Sequence, residues 1–349
     1  MRATKVQDET ESEFIPFRYA ITSYGADYPV DSLVQRLDRE VVLVPEFQRK
    51  YVWKLKQASR FIESLLLGLP VPGVFFAKES ETGKLLIIDG QQRLRTLQYF
   101  YNGLFRGKEF ALKEVQPAYE GQTYRTLQKE DQIRLSDSVI HATIIKQDEP
   151  SDDQSSVYHI FERLNTGGTL LQPQEIRACI YHGPLADLLE EFNDDPNWRI
   201  VYGPPSERLK DQELILRFLA LYFNSDKYCR PMKEFLNRFM GGNRGFQKVT
   251  KEKCVKAFLP TVTLVATTLA QRAFRPERAL NAAVFDSVMV GLARRLQRGE
   301  VKHPKTVANS YDSLLSDDEF KAAVRAGTSD EPNVTLRLNK ASKTFAGII

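Results

Sequence analysis

The sequence predicts an α+β protein: a small mixed sheet with flanking helices, followed by a mostly α-helical C-terminal part. Three observations predict it. Short apolar runs rich in β-branched and aromatic residues (Val41–Val44, Val74–Phe76, Leu85–Ile88, Val139–Ile145) are confined to the first 150 residues. Beyond Asp148-Glu149-Pro150-Ser151-Asp152-Asp153, the clearest change in composition, the pattern turns helical nearly to the end. No internal repeat or low-complexity tract interrupts either pattern. The expected organisation is a flexible N-terminus over residues 1–20, a sheet-bearing domain over 21–150 and a helical domain over 151–349.

The N-terminal residues 1–13 are polar and charged and have too little apolar surface to fold. Asp31–Leu37 reads as a capped amphipathic helix, and Val41–Val44 as a strand. Phe61, Ile62, Leu65, Leu66 and Leu69 mark the apolar stripe of the next helix, which Gly68, Pro70 and Pro72 end. Val74–Phe76 and Leu85–Ile88 are joined by a short link through Thr82-Gly83 and predict a hairpin. Leu94, Leu97, Tyr101 and Leu104 recur at helical spacing, so a helix follows over 91–103. The chain then turns more β-like up to Ile145. In the helical part, 154–164, 173–181, 185–192, 207–223, 231–239, 251–272 and 280–298 are the expected helices.

Composition narrows the function. The 349 residues are 42% hydrophobic and 27% charged, enough for a globular core. The 49 basic against 45 acidic residues leave a formal charge of +4, which permits a local nucleic-acid patch without demanding one. No apolar leader follows Met1, and no apolar stretch is long enough to span a bilayer, so a cytoplasmic protein with no membrane partner is expected. Cys179, Cys229 and Cys254 form no CxxC and read as reduced thiols. His141, His159, His182 and His303 are scattered, which writes neither a zinc finger nor an HNH-type nuclease site. GxxxxGK(S/T), GxSxG and HExxH are all absent.

The polar residues crowd at one junction, Asp89-Gly90-Gln91-Gln92-Arg93, where a strand turns directly into a helix. Such a junction aims free backbone N–H groups into the turn and attracts anions, phosphate above all. Gly90 lets a ligand approach the backbone, Arg93 can fork onto phosphate oxygens, and Gln91 and Gln92 offer amides. The plainer alternative is that Asp89 caps the helix, Gly90 makes the turn and Arg93 lies in water. A second polar knot, Phe161-Glu162-Arg163-Leu164-Asn165-Thr166-Gly167-Gly168 with Glu175-Ile176-Arg177, is either a helix-ending turn or a glycine loop folding over a ligand with Arg163 and Asn165. A third, Gly241 to Lys248 with Lys251, is either a solvated face or a basic loop tracking a phosphate backbone through Arg244, Lys248 and Lys251.

Three of these segments together resemble a known family: Phe47-Gln48-Arg49-Lys50-Tyr51-Val52-Trp53, Ile88 to Arg93, and Phe161 to Gly168 with Glu175-Ile176-Arg177. The chain is similar, from about Thr22 to about Asn197, to the ParB/sulfiredoxin-like domain at the front of GmrSD-type modification-dependent restriction enzymes, found also in the phosphorothioate-sensing SspE proteins of phage defence. Asp89 to Arg93 fill the family's Asp-Gly-Gln-Gln-Arg signature without change, Gln48 and Arg49 match the first motif, and Lys50 stands where Pro is common. The resemblance implies an NTP-binding and NTP-hydrolysing core in a prokaryotic defence setting. Larger members carry a C-terminal HNH nuclease domain, which is not written in this sequence, so a separate nuclease or defence protein is the expected partner. In this reading Asp89, Gln91, Gln92 and Arg93 are catalytic, Asp89 holds Mg²⁺ with the NTP, and Gln48, Arg49, Gly90, Arg163, Asn165, Gly167 and Gly168 bind nucleotide. The rivals are a non-enzymatic DNA-binding or regulatory module that senses nucleotide, and a nuclease acting from the same pocket.

Overall fold

The computed structural model describes residues 20–44, 51–79, 82–149, 155–164 and 171–348. It divides into two units, residues 19–171 with 178–180, and 172–177 with 181–349. The architecture is α+β: a mixed five-stranded sheet in the N-terminal region, then a mostly helical part. The division falls at residue 171, beyond the composition break at 148–153, because the helix after that break packs on the sheet.

The sheet unit runs β1 (Ala20–Pro29), α1 (Val30–Asp38), β2 (Val42–Leu43), α2 (Leu55–Leu66), β3 (Val74–Lys78), β4 (Leu85–Asp89), α3 (Gln91–Asn102), β5 (Leu104–Phe105), β6 (Lys108–Glu109), α4 (Lys129–Asp137), β7 (Val139–Glu149) and α5 (Ser155–Leu164). Strand order is β1-β7-β3-β4-β2, and β5 pairs with β6 apart from it. β3 and β4 form the expected antiparallel pair, with Phe76 opposite Ile87 and Ala77 opposite Leu86. β7 runs parallel to β3 and antiparallel to β1.

Alternation of side chains assigns the faces. Val74, Phe76, Leu85, Ile87, Ala142 and Ile144 enter one core with Leu33 and Leu37 of α1, Phe61, Ile62 and Leu65 of α2, and Leu94, Leu97 and Phe100 of α3. Leu86, Ile88 and Ile145 are also buried, and α5 lies against β4 and β7 with Tyr158 and Phe161 buried. A strand covered on both faces reads as an unbroken apolar run, which is why Leu85–Ile88 does not alternate with polar residues.

Several expectations change at element ends. Asp31 is not the cap of α1. Pro29 holds that position, and Asp31 lies in the first turn, where it accepts the Ser32 N–H at 2.6 Å. α2 stops before Leu69, which is exposed. α3 stops at Gly103, in the left-handed region at φ 75°, so Leu104 starts β5 and is exposed while Phe100 takes the buried place. α4 breaks the stretch expected to be β-like, its first turn carrying Glu130 and Asp131 to suit the helix dipole.

The helical unit comprises α6 (Pro173–Ile180, whose last three residues group with the sheet unit), α7 (Pro184–Asn193), α8 (Pro196–Tyr202), α9 (Lys210–Asn224), α10 (Met232–Gly241), α11 (Lys251–Thr268), α12 (Ala282–Leu296), α13 (Lys305–Ser316), α14 (Asp318–Ala323) and α15 (Glu331–Ala346). α12, buried along most of its length, packs on α9, α11 and α15. Gly291 admits α15 closely: a Cβ there would lie 2.8 Å from the Phe345 ring. α8, like α13, α14 and α15, was not among the expected helices. It is short, with Asp195 capping it through the Trp198 N–H and Pro196 in its first turn. Among the described residues, no helix is long and apolar enough to cross a membrane.

Candidate functional site

The site is built where β4 ends. Asp89 is the last residue of the strand, Gly90 the cap of α3, and Gln91, Gln92 and Arg93 its first turn. Gly90 adopts φ 101°, and a Cβ there would sit 2.5 Å from Val74 Cγ1. Both the backbone angle and the packing under β3 therefore require glycine. Gly90, which has no side chain, holds the cap position, so Asp89 is not the cap of α3. The first-turn N–H groups and the positive end of the helix dipole face the turn.

Arg93 does not lie in water. Its side chain is 13% exposed, and Nη2 donates to Asp89 Oδ2 at 2.7 Å, whereas the Asp89 side chain is 46% exposed. The arginine is held against the strand end with its partner open to solvent. Gln91 is half-buried at the first helical position.

Gln92 is engaged differently. Its Oε1 accepts the backbone N–H groups of Val52 and Trp53, at 3.0 and 3.2 Å. One turn on, Thr96 Oγ1 lies 2.7 Å from the Tyr51 hydroxyl. The Tyr51 ring stands edge-on to Tyr99 and Phe105, with centroids at 5.0 and 5.6 Å. From the turn between β5 and β6, Arg106 Nη2 donates to the carbonyls of Tyr51 at 2.8 Å and Trp53 at 3.4 Å. Burial pushes the Tyr51 hydroxyl up to about 12, so it stays protonated at any ordinary pH. The three residues 51–53 thus form a strap bound to α3, and they are the end of the first sequence motif. Gln48 and Arg49 lie outside the described residues.

Sequence reasoning missed Thr96 and Arg106. Thr96 had a signal, since it sits four residues after Gln92 on the same helix face. Arg106 had none, because its partners are backbone carbonyls more than fifty positions away.

The remaining candidates are dispersed. Arg163 is exposed near the end of α5, while Asn165, Gly167 and Gly168 lie outside the described residues. Glu175 and Arg177 are interior to the helical unit. Glu175 takes the Arg208 guanidinium at 2.8 to 3.0 Å, and Arg177 donates to Asn237, Gln174 and Glu213. Of the basic trio, Arg244 turns inward, bonding the backbone carbonyl and ring Nε2 of His182. Lys251 pairs with Glu191 at 2.9 Å, and Lys248 is exposed.

Among the described residues, no group of three or more His, Cys, Asp or Glu side chains could hold a metal ion unaided. Magnesium travelling with a nucleotide needs only one or two carboxylates, the rest being water and phosphate oxygens. The half-exposed Asp89 fits that donor set.

A search of curated proteins returned no match to the chain. A family model, GmrSD restriction endonuclease, N-terminal domain, matches over residues 30–182. That span runs from α1 through α6 and holds the strap, the Gly90 junction and Arg106. Over residues 30–182 the chain thus matches the GmrSD-type N-terminal domain family.

Proposed function

We propose that the chain is a nucleotide-binding, NTP-hydrolysing component of a DNA-directed, restriction-like defence system, acting with a separate nuclease or effector. The observation that carries this reading is the glycine-capped start of α3, with Arg93 and the half-exposed Asp89 beside its first turn. A polyphosphate is the anion such a terminus suits best, since it can take several N–H donors and a guanidinium together.

In this reading Arg93 and the amides of Gly90 to Gln92 receive phosphate oxygens. Asp89 holds the magnesium or the attacking water, and Gln91 orients that water. Magnesium bound with the nucleotide would neutralise phosphate charge as the terminal P–O bond breaks. Gln92 acts at one remove, since its oxygen already holds the strap. Gln48, Arg49, Arg163, Asn165, Gly167 and Gly168 supply further nucleotide contacts.

A second reading, a nucleotide sensor without turnover, is favoured by the Asp89–Arg93 pair, because each group already has the other as a charged partner. Calorimetry and phosphate release with ATP and GTP, with and without DNA, separate the two. Arg93→Ala should abolish binding, and Asp89→Ala should spare binding more than turnover. Normal nucleotide affinity in Arg93→Ala would rule out the site. Binding with no release above an Asp89→Ala/Arg93→Ala control would leave the sensor.

A further inference from the structure

We propose that Arg106 is a positioning residue for the α3 anion site, acting through the strap Tyr51–Trp53 that Gln92 grips from the other side. The nucleotide reading above is needed only for the identity of the ligand.

The strap is held along both of its polar edges. Its N–H groups at Val52 and Trp53 go to Gln92 Oε1, and an amide oxygen has two lone pairs, so this acceptor is fully used. Its carbonyls at Tyr51 and Trp53 go to Arg106. The Tyr51 hydroxyl is fastened to Thr96, and its ring is wedged against Tyr99 and Phe105. Burial does not explain this fastening on both sides, since Val52 is 57% exposed.

The residue that receives the strap is the second of α3, inside the turn whose amides face the site. Whatever fixes the strap therefore fixes the Gln92 rotamer and the first turn. Without Arg106, the carbonyl edge of the strap is loose and only Gln92 and the Tyr51 side chain hold it, so Gln92 and the first turn gain freedom that a ligand must then remove. Arg106 belongs to no motif, and its guanidinium meets Tyr51, Trp53 and Phe105 rather than Asp89 or Arg93, so its effect would travel through Gln92.

The test uses the full chain with Arg106→Ala, Arg106→Lys and Thr96→Val. Mg–ATP and Mg–GTP titrations are paired with hydrogen exchange in peptides covering residues 51–53 and 91–97. Arg106→Ala should weaken nucleotide binding about tenfold, the scale of one charge-assisted hydrogen bond. It should also speed exchange in both peptides. Arg106→Lys, which can still donate to both carbonyls, should restore most of each. If Arg106→Ala is too poorly folded to measure, Thr96→Val should give the same signs at smaller size, and wild-type behaviour in it would overturn the proposal. A loosened strap with wild-type nucleotide affinity and wild-type exchange at 91–97 would also overturn it. If the wild-type protein takes neither nucleotide, the nucleotide reading fails separately, and exchange at 91–97 decides for or against Arg106 on its own.

Discussion

In the sheet unit, Arg93 pairs with an Asp89 whose side chain is 46% exposed. In the helical unit, Arg217 of α9 and Arg337 of α15 share Asp286 of α12, which solvent does not reach. The bonds are alike. Arg93 meets its carboxylate at 2.7 Å, Arg337 meets its own at 2.9 Å, and Arg217 Nε donates to the other Asp286 oxygen at 3.0 Å. The surroundings differ. Burial pulls the Arg337 pKa down, and Asp286 works against that pull. At Gly90, by contrast, one partner already faces water, so another anion can take the arginine at small desolvation cost. An arginine–aspartate pair is thus open to an incoming anion in one setting and a rivet in the other, and exposure of the carboxylate separates them.

The largest expected effect is in the rivet. Asp286→Ala leaves Arg337 buried without a counter-charge and should destabilise the protein by about 3–5 kcal/mol in urea denaturation. Asp89→Ala should cost less than about 1 kcal/mol. Equal losses at the two positions would break the comparison. Next comes Gly90→Ala, expected to cost about 1–3 kcal/mol because φ 101° and the Val74 contact both oppose a Cβ. Gly103→Ala, with open space around its Cβ position, should cost less. If the two are equal, packing under β3 contributes nothing at the site.

A smaller effect is expected at high pH. The folded-state pKa of Tyr51 is raised from 10 to about 12, so the folded state keeps a proton that the unfolded state loses. Its contribution is whole below pH 10 and is lost as pH climbs through about 12. Tyr51→Phe should flatten that part of the stability–pH curve, measured as the difference from wild type. The smallest effect is expected at the basic loop. Replacing Arg244, Lys248 and Lys251 together should change the salt slope of DNA binding by no more than about 1, one phosphate's worth, since Arg244 and Lys251 are already engaged. A change near three would show that all three leave their partners for DNA.

The junction at Gly90 was legible because its causes are local. A four-residue apolar run, a glycine and a helical stripe fix a strand, a turn and a helix within eighteen positions, 85–102. Leu104 was misread because helical spacing continues through Gly103, while the left-handed turn there ends the helix. The interior roles of Glu175 and Arg177 could not be read, because charged motif residues look the same in sequence whether they meet a ligand or Arg208 and Glu213. Arg106 depends on a strap brought to it by tertiary folding, and no periodicity records that.

The pairing of β1 with β7 carries a consequence for synthesis. Ala26 lies opposite Ala142, about 116 residues later, and β7 is the only strand that β1 pairs with among the described residues. A ribosome adding about 5–20 residues per second leaves β1 waiting roughly 6–23 seconds for that partner to be made. Throughout that interval β1 is a ten-residue segment able to pair with another nascent copy. Its Thr22, Ser23, Gly25 and Asp27 interrupt the apolar residues and act as gatekeepers against that encounter. Replacing Ser23 and Asp27 with valine should therefore lower the soluble yield on rapid expression more than it lowers the stability of protein that has already folded.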